Sequence, residues 1–500
     1  MRKRSKIALI LVALVALVAA VVVGRPVLFL AIVWLNDGAK PNPMPPVGVG
    51  DASRMITNVP AEVIAVAEDP AAAERQIVDL IQRAASEGRC ISIAGARHSM
   101  GGHTFYPSGI TLDMEGFRHM SLDEDKGILT VGAGARWHDI IPYLDTRGYA
   151  ISIMQSNNDF SVGGSISVNC HGWQNDKPPI ASSVESFRIV TPSGETLRCS
   201  RQENAELFSL ALGGYGLFGV ILEVDLRITN NEYYEAEAHF IDPSDYADTY
   251  HKLTENQSDV GMAYGRLSVA PKSFFKEASI TLLRRKETDL PNKETLLNKE
   301  PSLLKRLVFR GGVNSDYGKK FRWWVEKQIG ETGGKLLSRN QLMNGPSSLY
   351  SSRDPDTTDI LHEYFIPSDQ LANFIEKSRP VFLKHQPELL NVTIRNIHPD
   401  HDTFLSYAPE EVFGLVLLFS QERDEEAEAA MLRLTRELID VAHACRGRYY
   451  LPYRPHATLE QFHKAYPQAS AFFTKKRLFD PKGIFDNKFY QTYSRPLETK

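Results

Sequence analysis

Three glycine-rich turns lie within 80 residues of one another and have the composition of phosphate-binding loops. They are IAGARHSMGGHTF at residues 93–105, VGAGARW at residues 131–137 and SVGGSISVNCHG at residues 161–172. Glycine lets backbone N–H groups approach a phosphate closely and adopt positive φ angles. Three such turns after apolar stretches predict that the domain wraps one extended ligand. The spacing leaves open the alternative of three tight turns in an α/β fold.

Two common nucleotide-binding motifs and the common cysteine motifs are absent. The sequence has neither GxGxxG opening a helix nor GxxxxGK[ST], which disfavours a Rossmann site and a P-loop. Cys90, Cys170, Cys199 and Cys445 lie far apart and form no CxxC pair. This spacing argues against a disulfide framework, an iron–sulfur cluster or a zinc ribbon, so we predict no metal site.

The composition is that of a globular protein. The chain has 500 residues, of which 43% are apolar and 24% charged. These values exclude a disordered, collagenous or coiled-coil chain and are sufficient for two or three domains. Basic residues number 57 and acidic residues 61, a formal charge of −4. Because this balance gives no general attraction for polyanions, we predict no nucleic-acid partner.

The N-terminus has the pattern of a membrane anchor. Four of the first six residues are basic, and an unbroken run of small and apolar residues occupies positions 7–24. As a helix this run spans about 27 Å, close to the hydrocarbon thickness of a bilayer. We predict a single-pass, uncleaved transmembrane helix; the alternative is a cleaved signal peptide. Both place the body on the exported, extracytoplasmic side of the membrane.

Two short stretches follow the predicted anchor. The apolar residues 27–35 are too few to cross a bilayer, and we predict that they lie at its interface. Residues 36–49 are rich in proline and glycine and are typical of a semi-rigid linker.

From about residue 58 onward the pattern alternates between helix and strand, which predicts an α+β fold. A helix is predicted over residues 71–87, ended by Gly88. The further predicted helices cover residues 137–148 and 204–212. The predicted strands cover residues 90–95, 109–114, 128–134 and 219–228, with two more in residues 184–200. The turn at residues 161–172 is predicted to lie between these elements.

A shift in composition near residues 230–235 indicates a second region. Residues 284–335 are dense in charge and without clear periodicity, so we predict a helical or loop insertion of undefined role. A strand and a helix capped by Ser368 are predicted within residues 362–382. Strands at residues 389–397 and 412–419 and a helix at residues 425–444 complete a predicted sheet with helices on one face.

The motifs together resemble a known family. GARHSMGGHTF, GITLDM, VGAGARWHDIIPYL, VGGSISVNCHG and GYGLFGVILEVDLRI occur in the order found in the FAD-binding domain of the vanillyl-alcohol oxidase / p-cresol methylhydroxylase (PCMH) family. Within that family the chain is most similar to sugar-alcohol and aldonolactone oxidases, and its GxxHSxxG loop is also similar to that of cytokinin dehydrogenases. At the C-terminus, RPH and LFDPKGIFDNKFY resemble the segment that folds back onto the flavin.

The resemblance implies a domain organisation. A membrane anchor and linker would occupy residues 1–50, and a two-subdomain, PCMH-type FAD-binding domain residues 58–230. An α+β substrate or cap domain would follow at residues 231–445, and a C-terminal segment at residues 446–500 would return to the flavin site.

The resemblance also implies FAD as the cofactor, joined covalently through His98 in the GxxHS loop. Noncovalent binding is the alternative, and His103 is a second candidate for the linkage. Doubly linked relatives place a cysteine where this chain has Asp159, so no second bond is expected. The implied cofactor-binding residues are Gly95, Ala96, Arg97, His98, Ser99, Met100, Gly101, Gly102, Ser161, Val162, Gly163, Gly164, Ser165, His171, Gly172, Gly219, Val220 and Ile221.

Arg395 and His456 are the catalytic candidates. Sugar-alcohol oxidases carry Glu-x-Arg on a substrate-domain strand, and this chain has Thr393 in place of the glutamate but keeps Arg395. Arg395 would stabilise charge on reduced flavin or orient the substrate oxygen; the alternative is a surface salt bridge. His456 in RPH is the candidate proton acceptor, against a structural role for this histidine, and His398 and Tyr453 are rivals.

The sequence therefore predicts a membrane-anchored FAD-dependent oxidoreductase. It would transfer hydride from a CH–OH group of a sugar-like, polyol or lactone substrate to flavin N5, with oxygen, a quinone or another molecule as the electron acceptor. One alternative is an oxidase of a lipid-linked sugar, similar to decaprenylphosphoryl-ribose oxidases. Two others are a non-catalytic flavin-binding module and a protein without flavin.

Overall fold

The described part of the chain is an α+β structure with three β-sheets. The computed structural model describes residues 23–37, 44–175, 177–288, 303–329 and 335–494. Two sheets precede residue 231 and position the glycine-rich turns, and the third is built from strands that follow it.

A three-stranded parallel sheet positions the first glycine-rich turn. Its strands are, in spatial order, Glu62–Ala65, Ile110–Asp113 and Ile91–Ala94. Helix Pro70–Glu87 begins at Asp69, whose carboxylate accepts the N–H of Ala72. One face of the helix is buried in the core through Ala73, Ile77, Leu80, Ile81 and Ala84. The helix ends at the left-handed Gly88, close to the start of the strand that leads into the turn.

A six-stranded antiparallel sheet positions the other two turns. Its spatial order is Met120–Asp123, Ile128–Gly132, Val220–Asn230, Val184–Val190 and Thr196–Ser200, with Tyr149–Ile151 also paired to Val220–Asn230. The helices of this part are Trp137–Asp145 and Ala205–Ala211. The predicted elements of this half all occur, with ends that differ by at most three residues from the prediction.

The third glycine-rich stretch differs from the prediction of a plain turn. It contains a short helix, Val162–Ser167, that begins at Ser161. The Ser161 hydroxyl accepts the N–H of Gly164 and so caps the helix. A Cβ at Gly163 would lie 2.9 Å from the Ala133 side chain. The absence of a side chain there lets the helix lie close to the second turn, which outweighs the low helix propensity of glycine.

The cap sheet has eight antiparallel strands. Their spatial order is Leu337–Ser338, Tyr233–Ile241, Ala278–Lys286, Val260–Leu267, Glu388–Ile397, Val412–Glu422, Thr357–Pro367 and Arg448–Tyr449. The helices Tyr246–Thr254, Leu371–His385 and Glu425–Ala444 pack against it and against one another. The face away from these helices carries residues that line the large cavity described below.

One predicted cap in this region is wrong. Ser368 does not cap a helix: it opens the single 3₁₀ turn Ser368–Gln370, and the helix Leu371–His385 starts after Gln370. The Ser368 hydroxyl instead lies 2.9 Å from the His251 imidazole Nε2. The Ser368 hydroxyl therefore pairs with His251 of helix Tyr246–Thr254 and does not cap the helix that follows it.

Within the charged insertion, the described residues are mainly helical. Strand Ala278–Lys286 runs into it, and the helices Leu303–Arg310 and Asp316–Ile329 follow. Helix Arg339–Met343 comes after it and begins with a capping box between Ser338 and Gln341. Residues 289–302 and 330–334 of the insertion lie outside the described residues.

The C-terminal segment returns to the first glycine-rich turn. It contains the helices Leu459–Ala465, Ala469–Phe479 and Lys488–Tyr493. Backbone N–H groups of Ile91 and Met100 donate to the carbonyls of Ile484 and Pro452, at 2.6 and 2.8 Å. The segment therefore holds both the strand and the turn from outside the N-terminal half.

At the N-terminal end, helix Arg25–Asn36 is the first described element after Val23 and Gly24. The predicted transmembrane run at residues 7–24 lies outside the described residues except for those two. Among the helices that the structure describes, none has the length and apolar character needed to cross a bilayer.

Candidate active site

A cavity of about 1750 Å³ lies between the glycine-rich turns and the cap sheet. Pockets for drug-sized ligands usually measure roughly 300–1,000 Å³. This cavity therefore has room for a dinucleotide together with a substrate. One wall is formed by the turns and the other by side chains of the cap strands.

In the first wall, the backbone of the turns is packed too tightly for most side chains. A Cβ at Gly95 would overlap the Ser161 hydroxyl, and one at Gly101 would overlap the Tyr453 carbonyl. The Ser161 hydroxyl also accepts the N–H of Ala96 at 3.2 Å, so one serine joins the first and third turns. These contacts keep the glycines of separate turns next to the same cavity.

Twelve of the predicted cofactor-binding residues line the cavity. They are Gly95, Ala96, Arg97, His98, Ser99, Ser161, Gly163, Gly164, Ser165, His171, Gly219 and Ile221. The other six, which are not among its described lining residues, are Met100, Gly101, Gly102, Val162, Gly172 and Val220. Gly102 donates its N–H to the buried Asp51 carboxylate at 2.8 Å. Met100 accepts the N–H of Leu361 at its sulfur, 3.4 Å away. Gly102 and Met100 therefore fix the first turn through contacts with Asp51 and Leu361.

Buried polar atoms in this wall fit a phosphate-containing ligand. The hydroxyls of Ser99 and Thr104 and the Nε of Arg97 are buried and have no hydrogen-bond partner among the described residues. All three residues line the cavity. Because buried donors are normally satisfied, this set calls for acceptor oxygens from a ligand. The residues present therefore fit the pyrophosphate of FAD.

His98 faces the cavity from the first turn. Its Nε2 lies 3.9 Å from an Asp159 carboxylate oxygen, and its ring stacks on Phe160 with centroids 4.1 Å apart. Burial lowers the pKa of His98, and the nearby Asp159 opposes this effect. The imidazole is therefore neutral at neutral pH, the state in which a ring nitrogen is a nucleophile.

His103, the second linkage candidate, also lines the cavity but is enclosed by aromatic rings. Its ring centroid lies 5.5 Å from that of Tyr215 and 5.6 Å from that of Phe489. Burial lowers the pKa of His103 to about 4.

In the second wall, Arg395 lies at the point where the cap sheet meets the third turn. Its guanidinium donates to the His171 carbonyl at 3.1 Å and to the Ser156 hydroxyl at 3.0 Å. Its Nε is buried and has no partner among the described residues. Arg395 is thus held against the flavin-side wall while one donor stays available to a ligand.

A carboxylate that the sequence analysis missed lies next to it. Glu363 is buried, lines the cavity, and has a carboxylate oxygen 2.6 Å from His171 Nε2. The strand pairing explains its place: Glu363 is opposite Val416, which is in turn opposite Thr393. Glu363 therefore lies in the same row of the sheet as Thr393, two strands away.

The neighbouring row makes room for this carboxylate. Gly414 is opposite Arg395 on one side and Phe365 on the other. A Cβ at Gly414 would lie 3.1 Å from a Glu363 carboxylate oxygen. The bare backbone at this position lets Glu363 share the cavity wall with Arg395. The only local signal for Glu363 in the sequence is a carboxylate within an otherwise mostly apolar strand, HEYFIP.

Tyr453 and Cys170 complete this end of the cavity. The Tyr453 hydroxyl lies 3.4 Å from the second Glu363 oxygen. Burial, and then Glu363, raise the pKa of Tyr453 above its usual range, so the hydroxyl stays protonated at neutral pH. The Cys170 thiol donates to the Gln155 side-chain oxygen at 3.0 Å, and burial raises the pKa of Cys170 to about 12. Cys170 is thus a neutral, buried thiol.

His456 lies apart from this cluster. Its Nε2 is 2.8 Å from a Glu428 carboxylate oxygen and its Nδ1 is 3.0 Å from the Thr435 hydroxyl, both on helix Glu425–Ala444. Burial lowers its pKa, and the hydrogen bond that its ring donates to the Glu428 carboxylate opposes this. His456 is not among the described residues that line the cavity. The structure brings Arg395 together with His171 and Glu363, and does not bring His456 to them; the proton-accepting role of His456 stays an untested prediction.

In the described ranges, no three histidine, cysteine, aspartate or glutamate side chains are grouped so as to hold a metal ion.

The part of the chain that contains the three glycine-rich turns is similar to known proteins. Residues 70–200 match the family described as FAD binding domain. Residue identity is 32% over 160 residues with the mitochondrial L-galactono-1,4-lactone dehydrogenase 2 of Oryza sativa subsp. japonica, covering 30% of this chain and 27% of that protein. It is 30% over 160 residues with the L-gulonolactone oxidase of Bos taurus, covering 30% of this chain and 34% of that protein.

A bacterial relative has a similar match. An uncharacterized oxidoreductase, ORF5 in the fasciation locus of Rhodococcoides fascians, is 30% identical over 154 residues, covering 31% of this chain and 35% of that protein. In these three matches the chain spans about a third of the relative's length or less.

Proposed function

We propose that the chain is an FAD-dependent oxidoreductase acting on the CH–OH group of a sugar-like or lactone substrate, because residues 70–200 match the FAD binding domain family. The observation that carries the proposal is the cluster in which Arg395 and Glu363 of the cap sheet meet His171 of the third glycine-rich turn. When bound, FAD supplies the acceptor for the hydride that leaves the substrate carbon.

The turns would hold the cofactor by their backbone and by two hydroxyls. Ser99 and Thr104 would donate to the pyrophosphate oxygens, which would satisfy their buried hydroxyls. His98 would form the covalent link through a neutral ring nitrogen. A covalent bond prevents loss of the cofactor, which benefits an enzyme that works outside the cytoplasm.

Glu363 would replace the carboxylate that the Thr393-Ile394-Arg395 motif lacks. The His171 ring holds its Nε2 against Glu363, and its Nδ1 is buried without a partner among the described residues. A substrate hydroxyl between His171 Nδ1 and Arg395 Nε would satisfy both atoms. His171 would then take the hydroxyl proton, Glu363 would stabilise the resulting imidazolium, and Arg395 would stabilise negative charge on the substrate oxygen.

Tyr453 would orient Glu363. Its hydroxyl stays protonated because of the raised pKa and can donate to the carboxylate oxygen that does not face His171. The substrate that fits this arrangement has a hydroxyl on an oxidisable carbon and further polar groups for the cavity wall. The electron acceptor stays a prediction.

The test is the rate at which substrates reduce the bound flavin without oxygen. The purified full chain is mixed anaerobically with aldonolactones, aldoses and polyols while the flavin absorbance is followed. We expect at least one compound to bleach the flavin in the wild type. Glu363→Gln should slow this step about 100-fold or more at unchanged flavin content, because the imidazolium loses its counter-charge.

The matched control is Glu422→Gln, an exposed carboxylate at the end of the neighbouring strand Val412–Glu422. In this variant the substrate should reduce the bound flavin at the wild-type rate. Flavin that a chemical reductant bleaches but none of the compounds bleaches would favour a non-catalytic flavin module. If a substrate reduces the flavin of Glu363→Gln as fast as the flavin of the wild type, the proposed role of the carboxylate is contradicted.

A further inference from the structure

Three helices that contact one another form a lip beside the cavity. They are Arg25–Asn36, Leu303–Arg310 and Asp316–Ile329. The first comes from the N-terminal end of the chain and the other two from the charged insertion. We refer to these three helices as the lip.

The N-terminal helix is fixed to the other two by specific contacts. The Phe29 ring packs edge-on against Tyr317 with centroids 4.9 Å apart, and Arg25 lies 4.2 Å above the same tyrosine ring. At its end, the Asp37 carboxylate forms a two-bond ion pair with the buried Arg306 guanidinium, at 2.5 and 2.7 Å. A helix that could have projected freely is therefore part of the folded body.

The outer surface of the lip is apolar. Eight of the fifteen large apolar side chains that are exposed in the described residues belong to these three helices: Val27, Leu28, Ile32, Trp34, Leu35, Leu303, Leu304 and Trp324. Leu304 and Trp324 are 59% and 56% exposed. Scattered apolar residues on a surface need no explanation, whereas a cluster of this kind marks a docking site.

The two insertion helices of the lip form the mouth of the cavity. Leu304 and Trp324 line the cavity and are also exposed, so the cavity opens at the lip. Behind them Val308, Phe309 and Phe321 continue the apolar lining inward. A molecule that enters between these side chains therefore passes from the apolar surface toward Arg395.

The surroundings of the lip match a lipid bilayer in three ways. The apolar residues 7–24 lead directly into helix Arg25–Asn36, so the exposed surface continues an apolar segment of the chain. With 12 residues the helix spans about 18 Å, too short to cross a bilayer and of a length that suits its surface. Exposed Trp34 and Trp324 beside exposed Lys305 and Lys320 form the aromatic and basic pattern of an interface with anionic lipid.

We propose that the lip docks on an anionic lipid bilayer and that the cavity opens onto that bilayer. Its exposed leucine, valine and tryptophan side chains insert among the lipid headgroups, and Lys305 and Lys320 lie near the phosphates. This docking does not depend on the proposed reaction. A second part of the proposal rests on the proposed function. The substrate or the electron acceptor that enters through this mouth is an amphiphile dissolved in the membrane.

The experiment measures the depth of a label on the full chain reconstituted into vesicles of phosphatidylcholine and phosphatidylglycerol. Leu304→Cys carries an environment-sensitive fluorophore, and the vesicles contain a lipid with a nitroxide near its headgroup. Because helix Leu303–Arg310 packs against helix Arg25–Asn36, a label at position 304 reports the depth of the lip itself. The matched control is Leu478→Cys, which is 69% exposed on helix Ala469–Phe479.

We expect the nitroxide lipid to quench the label at position 304 about threefold more than the label at position 478. Trp324→Cys, labelled in the same way, gives a second reading in case Leu304→Cys is poorly folded, and flavin content reports folding in every sample. Equal quenching at the lip and control positions overturns the proposal. A label shielded by a second copy of the chain, detected as a dimer by native mass spectrometry without lipid quenching, overturns it as well. Flavin reduction measured on the same samples separates this result from failure of the proposed reaction.

Discussion

The cavity has two walls that are built differently: the glycine-rich turns present backbone to it, and the cap sheet presents long polar side chains. In the first wall Gly95 and Gly163 let separate turns touch, and a single serine hydroxyl joins them. In the second wall Arg395 and Glu363 reach the cavity because alternate residues of a strand face the same side. The first wall thus depends on the absence of side chains, and the second on their register.

This difference determines how each wall fails. Adding one carbon atom to the first wall forces backbone segments apart, so the fold itself becomes less stable. Changing one side chain in the second wall leaves the sheet intact, because its strands are held by backbone pairing, and removes only the chemistry. The predictions below probe this distinction.

The largest effect is expected from Gly134→Ala in the second turn. A Cβ at Gly134 would overlap the Met114 carbonyl, which is backbone and cannot move independently. We expect a loss of about 3 kcal/mol or more in the free energy of unfolding, together with most of the bound flavin. Denaturant unfolding and flavin absorbance measure both. Gly345→Ala is the control, because nothing lies within 4 Å of its added carbon; equal stability of the two variants would show that the wall tolerates side chains.

His98→Ala should abolish covalent attachment and leave the fold intact. The His98 ring stacks on Phe160, and its polar contacts within the described part of the chain are all with the neighbouring Asp159, through its backbone and a carboxylate oxygen 3.9 Å away. Acid precipitation of the wild type should leave flavin in the pellet, and precipitation of the variant should release it. His138→Ala, another cavity-lining histidine, is the control. Acid-stable flavin in His98→Ala that disappears in His103→Ala would move the linkage to His103.

Arg395→Lys keeps the positive charge and removes the planar guanidinium with its several N–H donors. A lysine cannot donate at once to the His171 carbonyl and the Ser156 hydroxyl while it faces a substrate oxygen. We expect flavin reduction to slow about 100-fold, with flavin content and unfolding temperature close to those of the wild type. Arg433→Lys on the exposed face of helix Glu425–Ala444 should change neither. A parallel loss of flavin would mean that Arg395 holds the first wall as well as the second.

The smallest effect concerns pH and the buried His103. Its pKa of about 4 lies below that of an unfolded histidine, so on acidification the unfolded chain takes up this proton first. The contribution of His103 to stability is therefore complete above about pH 6.5 and decreases toward pH 4. His103→Phe should lessen the loss of unfolding free energy between pH 7 and pH 5 by about 2 kcal/mol. Urea unfolding of both proteins at the two pH values measures this difference, and identical losses would show that His103 is not the group responsible.

The two walls also differ in how far the sequence predicts them. The glycine-rich turns were recognisable because the conformational freedom of Gly95 or Gly163 is a local property, and twelve of the predicted binding residues line the cavity. The exception was the helix Val162–Ser167, where the contact with Ala133 across the fold outweighs helix propensity. Local chemistry thus predicts most of the first wall.

The second wall could be predicted only in part. Arg395 was found because it lies in a recognisable motif, but Glu363 is related to it through the pairing of two strands with Val412–Glu422. A shift of one residue in that pairing would turn Glu363 to the other face, and nothing within HEYFIP specifies the register. His456 illustrates the converse, since its motif was visible, while its contacts with Glu428 and Thr435 depend on a helix that packs from elsewhere.

The ion pair between Asp37 and Arg306 matters for anyone who wishes to shorten this protein for production. The apolar run before residue 25 and the proline-rich stretch before residue 50 are inviting places to begin a shorter chain. A chain that begins near residue 50 would leave the Arg306 guanidinium without its carboxylate partner Asp37. Uncompensated buried charges cost roughly 3–5 kcal/mol. A shortened chain should therefore begin before Arg25 and keep the whole helix Arg25–Asn36 with Asp37, and its purification should be planned with a mild detergent to cover the exposed leucines and tryptophans.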